Sequence, residues 1–483
     1  MILTLASLLC LACFGHDFWK AVFAVELLFL ALDLIVLSVQ LRFKAVTISK
    51  GVFWLFVYWV APILGFFVWI ITGRAVFLKR IATHENEDLE TVDRLVSERP
   101  DDPCSHMART LCAAGALRYS EDSHAEYLGT GSEFFEALWR DIKSAEHSVL
   151  IECYIIKGDE FASEFIDLLC MKASEGCEVK VLFDDIGYHA WHRRFLHRIR
   201  KAGGEGALFH TILGFLFSPK KNYRLHRKTF VIDGRIAYEG GFNISEDYLG
   251  RGPNGSWRDG AVRVTGPQAL QMRRLFADDW MYTTGRHIDV SYDVPSEPAG
   301  DMPLQVLPGN PLDREHNGIH AEFDAFCRFS LKTLWIETPY FVPPKTILNQ
   351  MCALAASGAD VRVIFPRSGD HVLVDRLNEY YAHKAMKSGV KVFRYGKGFL
   401  HTKLILGDRK ICSVGSANFD NRSVFIDFEA SIIAYSEELG AQLDAILNED
   451  LAYCDQYSRE EYLSRPLRHR LTTVFALVFN SQM

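Results

Sequence analysis

Long apolar runs open the chain. Ala21 to Leu41 and Val52 to Thr72 each approach the ~20 residues that a helix needs to cross a hydrocarbon core, and they predict two membrane spans. A third run, Ile2 to Gly15, is too short to span comfortably and lacks the basic start and small-residue cleavage site of a secretory signal, which suits an interfacial or re-entrant helix. The competing reading is buried core helices, but two long apolar runs separated by a basic decapeptide are unusual in soluble domains. Residues 1–80 therefore read as a membrane anchor. Residues 81–115, acidic and proline-containing from Glu85 to Pro103, read as a linker.

Beyond the linker, short β-rich runs alternate with helical periodicity, the pattern of α/β layers, and the pattern occurs twice. In residues 116–295, Ser148 to Tyr154 predicts a buried strand, an amphipathic stretch to Gly176 a helix, and Val179 to Phe183 the next strand. In residues 296–483 the same succession is Thr333 to Tyr340, a helical stretch to Gly358, and Val361 to Phe365. Arg465 to Arg470 followed by Leu471 to Phe479 ends the chain as a basic, apolar tail, either an interfacial helix or a packed terminal one.

The polar residues repeat as well. Each half contains H-x-K-x4-D-x6-G-[GS]-x-N: His226, Lys228, Asp233, Gly240, Gly241, Asn243, and His401, Lys403, Asp408, Gly415, Ser416, Asn418. Composition alone gives H-x-K-x4-D about 0.05 times in such a chain, so two copies with a shared downstream pattern are a duplication. Leu225 to Ile232 and Leu400 to Leu406 have strand composition and end at a Gly/Asp pair, so each motif predicts one arm of a hairpin. Residues two apart on a strand share a face, which joins each histidine to its lysine and assigns Asp233 and Asp408 to the turn.

A face with imidazole, ammonium, an Asn amide and Gly-rich backbone N–H groups suits attack on a phosphate ester. With two such faces, one histidine can attack phosphorus while the other protonates the leaving oxygen, and the lysines stabilise the non-bridging oxygens. Those lysines fill the role a metal often has, so no metal and no cofactor is expected. A nucleophilic imidazole also needs an acceptor on its other nitrogen. Asp259 in Trp257-Arg258-Asp259 is one candidate, and Asp427 or Glu429 another, a choice the residues leave open.

The net charge of −7 argues against a general nucleic-acid binder, yet Lys220, Lys221, Arg224, Arg227 and Lys228 crowd one stretch, as expected of a phosphate site or a face towards anionic lipid. Arg42, Lys44 and Lys50 between the spans balance Arg74, Lys79 and Arg80 after them, so charge does not orient the anchor. Eleven cysteines without paired spacings in the polar part suit a reducing compartment and place the catalytic part in the cytoplasm.

On these motifs, with Glu152 and Tyr154, Asp184 to Gly187, Trp257-Arg258-Asp259 and Thr338 to Pro343, the chain resembles the phospholipase D superfamily and, within it, the bacterial cardiolipin synthases. The resemblance implies a transmembrane helical hairpin followed by two phospholipase D-like α/β sandwich domains with pseudo-two-fold symmetry. It implies a ping-pong reaction through a phosphohistidine, in which two phosphatidylglycerol molecules give cardiolipin and glycerol. His226 would be the nucleophile and His401 the general acid, then base. Lys228, Lys403, Asp233 and Asp408 complete the catalytic motifs; Asn243, Asp259, Ser416, Asn418 and Glu429 would support them. Asp427 stands where the family more often has Asn. The expected setting is the bacterial inner membrane, multi-pass, among anionic lipids and without nucleic acid. A phosphatidylserine synthase-like transferase or a hydrolytic phospholipase D would share the motifs and differ in acceptor.

Overall fold

The computed structural model describes residues 20, 23–32, 34, 89–186, 189–209, 223–252, 255–288, 298–313 and 317–478. The chain divides into two units, residues 1–79 with 212–222, and residues 80–211 with 223–483. In the first, the described residues are helical, and Phe23, Leu27, Leu28 and Leu32 are exposed. Among the described residues no helix is long and apolar enough to cross a membrane. The predicted span 52–72 and the run 2–15 lie outside the described residues, as does the span 21–41 apart from residues 23–32 and 34.

The second unit carries the α/β pattern. Its first half contributes β1 (Ser120–Leu128), β2 (Ser148–Cys153), β3 (Glu178–Asp184), β4 (Glu205–Phe209), β5 (Arg224–Leu225), β6 (Phe230–Ile232), β7 (Ile236–Gly240), β8 (Trp257–Arg258) and β9 (Ala261–Thr265). The second half contributes β10 (Met302–Gly309), β11 (Thr333–Glu337), β12 (Asp360–Pro366), β13 (Lys391–Tyr395), β14 (Phe399–Leu400), β15 (Leu404–Gly407), β16 (Ile411–Gly415), β17 (Asp427–Tyr435) and β18 (Cys454–Gln456).

One sheet runs through both halves in the order β18-β13-β12-β11-β15-β16-β17-β10-β1-β9-β7-β6-β2-β3-β4. Outward from the antiparallel β10·β1 seam the two sides match strand for strand, β17 with β9, β16 with β7, β15 with β6, β11 with β2, β12 with β3 and β13 with β4. The duplication in the sequence is therefore a pseudo-two-fold axis in the sheet. β2 is buried at every position because it lies between β3 and β6 and under the helix Glu160–Ser174, which turns Phe165, Ile166 and Leu169 inward. Asp159 starts that helix by accepting the Ala162 N–H at 2.8 Å. The stretch read as linker holds the helices Leu89–Glu98 and Pro103–Ala113, whose Val92, Met107 and Leu111 join the core of the second half with Phe323 and Phe326.

The motif aspartates belong to this framework, at the turns where strand parity expects them. Asp233 accepts the Glu146, His147 and Ser148 N–H groups at 2.9, 2.8 and 2.7 Å. Asp408 accepts those of Leu331, Lys332 and Thr333, each at 2.7 Å. Each carboxylate thus staples the hairpin turn to the start of the neighbouring strand, β2 or β11. Both residues have positive φ, 52° and 50°, a region that Asp and Asn tolerate better than most side chains. An Asp233→Asn or Asp408→Asn substitution keeps that tolerance but turns an NH2 group towards a backbone donor. We expect each to lower unfolding free energy by about 1–3 kcal/mol in denaturant titration, with activity lost in proportion to unfolding; an inactive variant of undiminished stability would contradict this.

Candidate active site

The predicted hairpin arms are each interrupted at the histidine. β5 pairs in parallel with β17 of the other half, with Arg224 opposite Asp427 and Leu225 opposite Phe428. The His226 N–H then donates to the Phe428 carbonyl at 2.9 Å, and by Thr229, whose N–H donates to the Glu152 carbonyl at 3.1 Å, the chain has crossed into its own half. The second copy does the same. β14 pairs with β8, Phe399 opposite Trp257 and Leu400 opposite Arg258, and the His401 N–H donates to the Arg258 carbonyl at 2.7 Å. Continuous strand composition hid the crossing, because the short segments that precede and follow each histidine are equally β-prone.

The register decides which carboxylates meet the imidazoles. Asp259 and Glu429 follow β8 Arg258 and β17 Phe428 at the same step, and each faces the histidine of the other half. His226 Nδ1 lies 2.9 and 3.0 Å from the two Glu429 oxygens, and His401 Nδ1 lies 2.6 Å from Asp259 Oδ2. Of the two candidates that the sequence left open, Glu429 occupies the position. Asp427 lies two residues back along the strand, held by the Arg422 Nε at 2.9 Å, with its Oδ1 buried and unpaired.

Both histidines are nearly buried, 9% and 7% exposed, and both lysines lie behind them. Lys228 Nζ donates to the His226 carbonyl and Lys403 Nζ to that of His401, so each ammonium is fixed by its own motif backbone. Lys403 Nζ is also 2.9 Å from His401 Nδ1. That nitrogen donates to Asp259 when protonated and accepts from Lys403 when not. Burial, reinforced by Lys228, holds the His226 imidazole well below its ordinary range, which leaves it neutral with a free lone pair. Burial and Lys403 lower His401 likewise. Burial also pushes the Lys403 ammonium down to about 7 and raises Glu429 to about 7, the latter opposed by Lys228 and by the Ser416 and Ser423 hydroxyls.

The halves differ around this shared plan. Ser416 and Ser423 donate to Glu429 at 2.6 and 2.7 Å. The counterpart of Ser416 is Gly241, where a Cβ would lie 2.0 Å from Asp259 Oδ1. Asn243 accepts the Ile155 N–H at 3.0 Å and donates to the Tyr248 hydroxyl at 3.1 Å, so its amide braces the loop and keeps one N–H for another acceptor. Asn418 is 5% exposed and keeps an unpaired Oδ1. The rings of Tyr154 against His226 (4.9 Å) and Trp257 against His401 (5.2 Å) wall the two sides. Ser423, Arg422 and Tyr248 escaped the sequence reading because they lie outside the repeated motif. Of the basic stretch, Arg224, Arg227 and Lys228 are buried between the halves, which rules out a solvated basic face for them, and Lys220 and Lys221 lie outside the described residues.

Among the described residues, His226, Asp427 and Glu429 bring potential metal-ligand atoms within 4.8 Å of one another. The donor set fits a metal poorly. Arg422 engages Asp427, two hydroxyls engage Glu429, and the Lys228 and Lys403 ammoniums supply the positive charge instead.

A family model described as "Cardiolipin synthase, PLD-like domain" matches residues 138–280 and 328–451, one copy of the motif in each. The chain belongs to this family. It is 31% identical to the major cardiolipin synthase ClsA of Bacillus subtilis over 86% of this chain and 90% of that protein. It is 32% identical to cardiolipin synthase A of Pseudomonas fluorescens (83% and 86%) and 31% identical to the cardiolipin synthase of Listeria innocua (90% and 95%). The crystal structure of phosphatidylserine synthase from Haemophilus influenzae covers 74% of this chain and 95% of its own with a TM-score of 0.58 at 16% identity, a likeness of fold.

For this member of the cardiolipin synthase family, two outcomes are expected. Gly241→Ser should displace Asp259 and cost roughly 100-fold in kcat with the fold kept, whereas Ser416→Ala, which leaves Ser423 on Glu429, should cost roughly 10-fold; equal losses, measured beside a thermal melt, would refute the asymmetry. Since kcat/KM reports the free enzyme, its alkaline limb should reflect loss of the Lys403 proton near 7, and Lys403→Arg should carry that limb upward at reduced rate because a guanidinium stays charged. An unmoved limb in the pH profile would dissociate it from Lys403.

Proposed function

We propose that this protein is a cardiolipin synthase that moves a phosphatidyl group from one phosphatidylglycerol to another, releasing glycerol. The observation that carries the reading is the reciprocal pairing: each motif histidine receives its carboxylate from the other half, which puts two oriented imidazoles and two ammoniums in one buried site.

His226 is the better nucleophile. With its Nδ1–H donating to Glu429, neutral His226 presents the Nε2 lone pair that attacks phosphorus. The bond to the glycerol oxygen breaks, and that oxygen takes a proton from His401, whose imidazolium is held by Asp259. The incoming phosphodiester anion offsets the Lys403 charge that lowers His401, so substrate binding itself loads the acid. In the second half-reaction His401 takes the proton from a headgroup hydroxyl of the second lipid, the new oxygen attacks phosphorus, and His226 leaves. Lys228 and Lys403 stabilise the non-bridging oxygens throughout. Transfer to a lipid instead of water follows from burial, which leaves little room for bulk solvent at the phosphohistidine.

The two apolar runs are proposed to hold the enzyme in the bacterial inner membrane as a multi-pass anchor, with the catalytic unit in the cytoplasm. The exposed Phe23, Leu27, Leu28 and Leu32 support lipid contact by the first run, and free cysteines among the described residues, such as Cys153, Cys177 and Cys412, support a reducing compartment. The two halves are proposed as phospholipase D-like domains, residues 116–295 and 296–483.

Purified protein given phosphatidylglycerol alone should yield cardiolipin and glycerol in equal amounts. Phosphatidic acid without cardiolipin would instead identify a hydrolase, the shared-motif alternative. Quenching in alkaline detergent should trap the phosphoryl label of the lipid on His226 and leave none in His226→Ala; label on His401 would reverse the assigned roles.

A further inference from the structure

The helix Leu467–Val478 packs one side, with His469, Thr473 and Ala476 buried, against the helix Val372–Met386. His469 Nε2 bonds Glu379 at 2.5 Å, and Tyr462, on the short helix before, stacks on His383 at 4.3 Å, so the two C-terminal helices both lie along Val372–Met386. Its other side is apolar yet open. Leu471 and Val474 are 63% and 62% exposed, Val372 is 64% exposed, and Arg468 and Arg470 lie exposed on the preceding turn.

This surface adjoins the site. Val372 is two residues from Asp370, which accepts from the Tyr340 hydroxyl at 2.9 Å and acts electrostatically on Lys403. The first half repeats the placement by symmetry. The loop after β3, equivalent to the loop after β12, carries Ile186, 47% exposed, beside Asp184, whose carboxylate accepts the Leu225 N–H at 3.0 Å just before His226. Exposed apolar residues thus stand on the loop after β3, at Ile186, and at the start of the helix that follows the β12 loop, at Val372.

We propose that the outer side of the C-terminal helix, with Leu471, Val474, Val372 and the adjoining Arg468 and Arg470, is a second membrane contact that lays the rim of the site on an anionic bilayer. The inference rests on the proposed use of a lipid substrate. It differs from the N-terminal anchor in kind: an anchor tethers, whereas this surface orients. Apolar side chains sink into the headgroup boundary and arginines meet anionic headgroups, the two ingredients of interfacial helices. A lipid then reaches the histidines by lateral movement without its acyl chains entering water.

The full-length protein in phosphatidylglycerol vesicles, carrying the photocrosslinker p-benzoylphenylalanine at Val474, should form a phospholipid adduct, and at Ser357, on a helix end elsewhere, should not. Replacing phosphatidylglycerol by phosphatidylcholine should weaken the adduct at Val474. An adduct with a second polypeptide, equal lipid labelling at both positions, or no lipid labelling at Val474 of a folded protein overturns the proposal. Independently, Leu471→Ser with Val474→Ser should lower cardiolipin formation from vesicles roughly 10-fold and leave turnover of monomeric short-chain phosphatidylglycerol within about two-fold; equal losses on both substrates also overturn it. Wild-type protein that makes no cardiolipin from either substrate sinks the proposed function, while the adducts still decide the membrane contact.

Discussion

Everything in the site depends on a short parallel pairing made twice. β5 lies along β17 and β14 along β8, and in each case two residue pairs suffice to bring a histidine of one half opposite a carboxylate of the other. A strand that leaves one sheet region for another would normally cost unpaired backbone groups, but here the histidine N–H groups find the Phe428 and Arg258 carbonyls. The crossing and the chemistry are the same event. The imidazole stands where the backbone changes partners, and the acceptor on its Nδ1 is supplied by the strand being left.

Burial then sets the protonation states. Two imidazoles, two ammoniums and several carboxylates share a space with little water, and each lysine depresses the histidine beside it. A cluster of that kind is poised for an anion. The charge that repels protons from the histidines is the charge a phosphodiester would satisfy, so binding and acid–base readiness are linked through Lys228 and Lys403.

Much of this was legible in the chain. The duplicated spacing gave both histidines, both lysines and the pseudo-symmetry, and strand parity separated Asp233 and Asp408 from the pocket. Parity works because the side-chain period of a strand is a local property. What was not legible is what depends on register between distant strands: strand parity could not choose Glu429, which the resemblance named, over Asp427, nor show that Asn243 bonds Ile155 and Tyr248 or that Ser423 and Arg422 belong to the site at all. The helices 89–98 and 103–113 were missed because an acidic, proline-bearing composition resembles a tether, while Asp102 and Pro103 in fact begin a packed helix by capping it.

The β1·β10 seam has a consequence for inheritance. Because the sheet is continuous across it and each half arms the other, the two halves are not spare copies of one another, despite their common plan. A lesion at Gly241 disables a histidine encoded far downstream, and a lesion at Ser416 one encoded far upstream. Duplication usually frees one copy to drift. Here it bound both copies to a single fate, even at positions 241 and 416, where the two environments have parted.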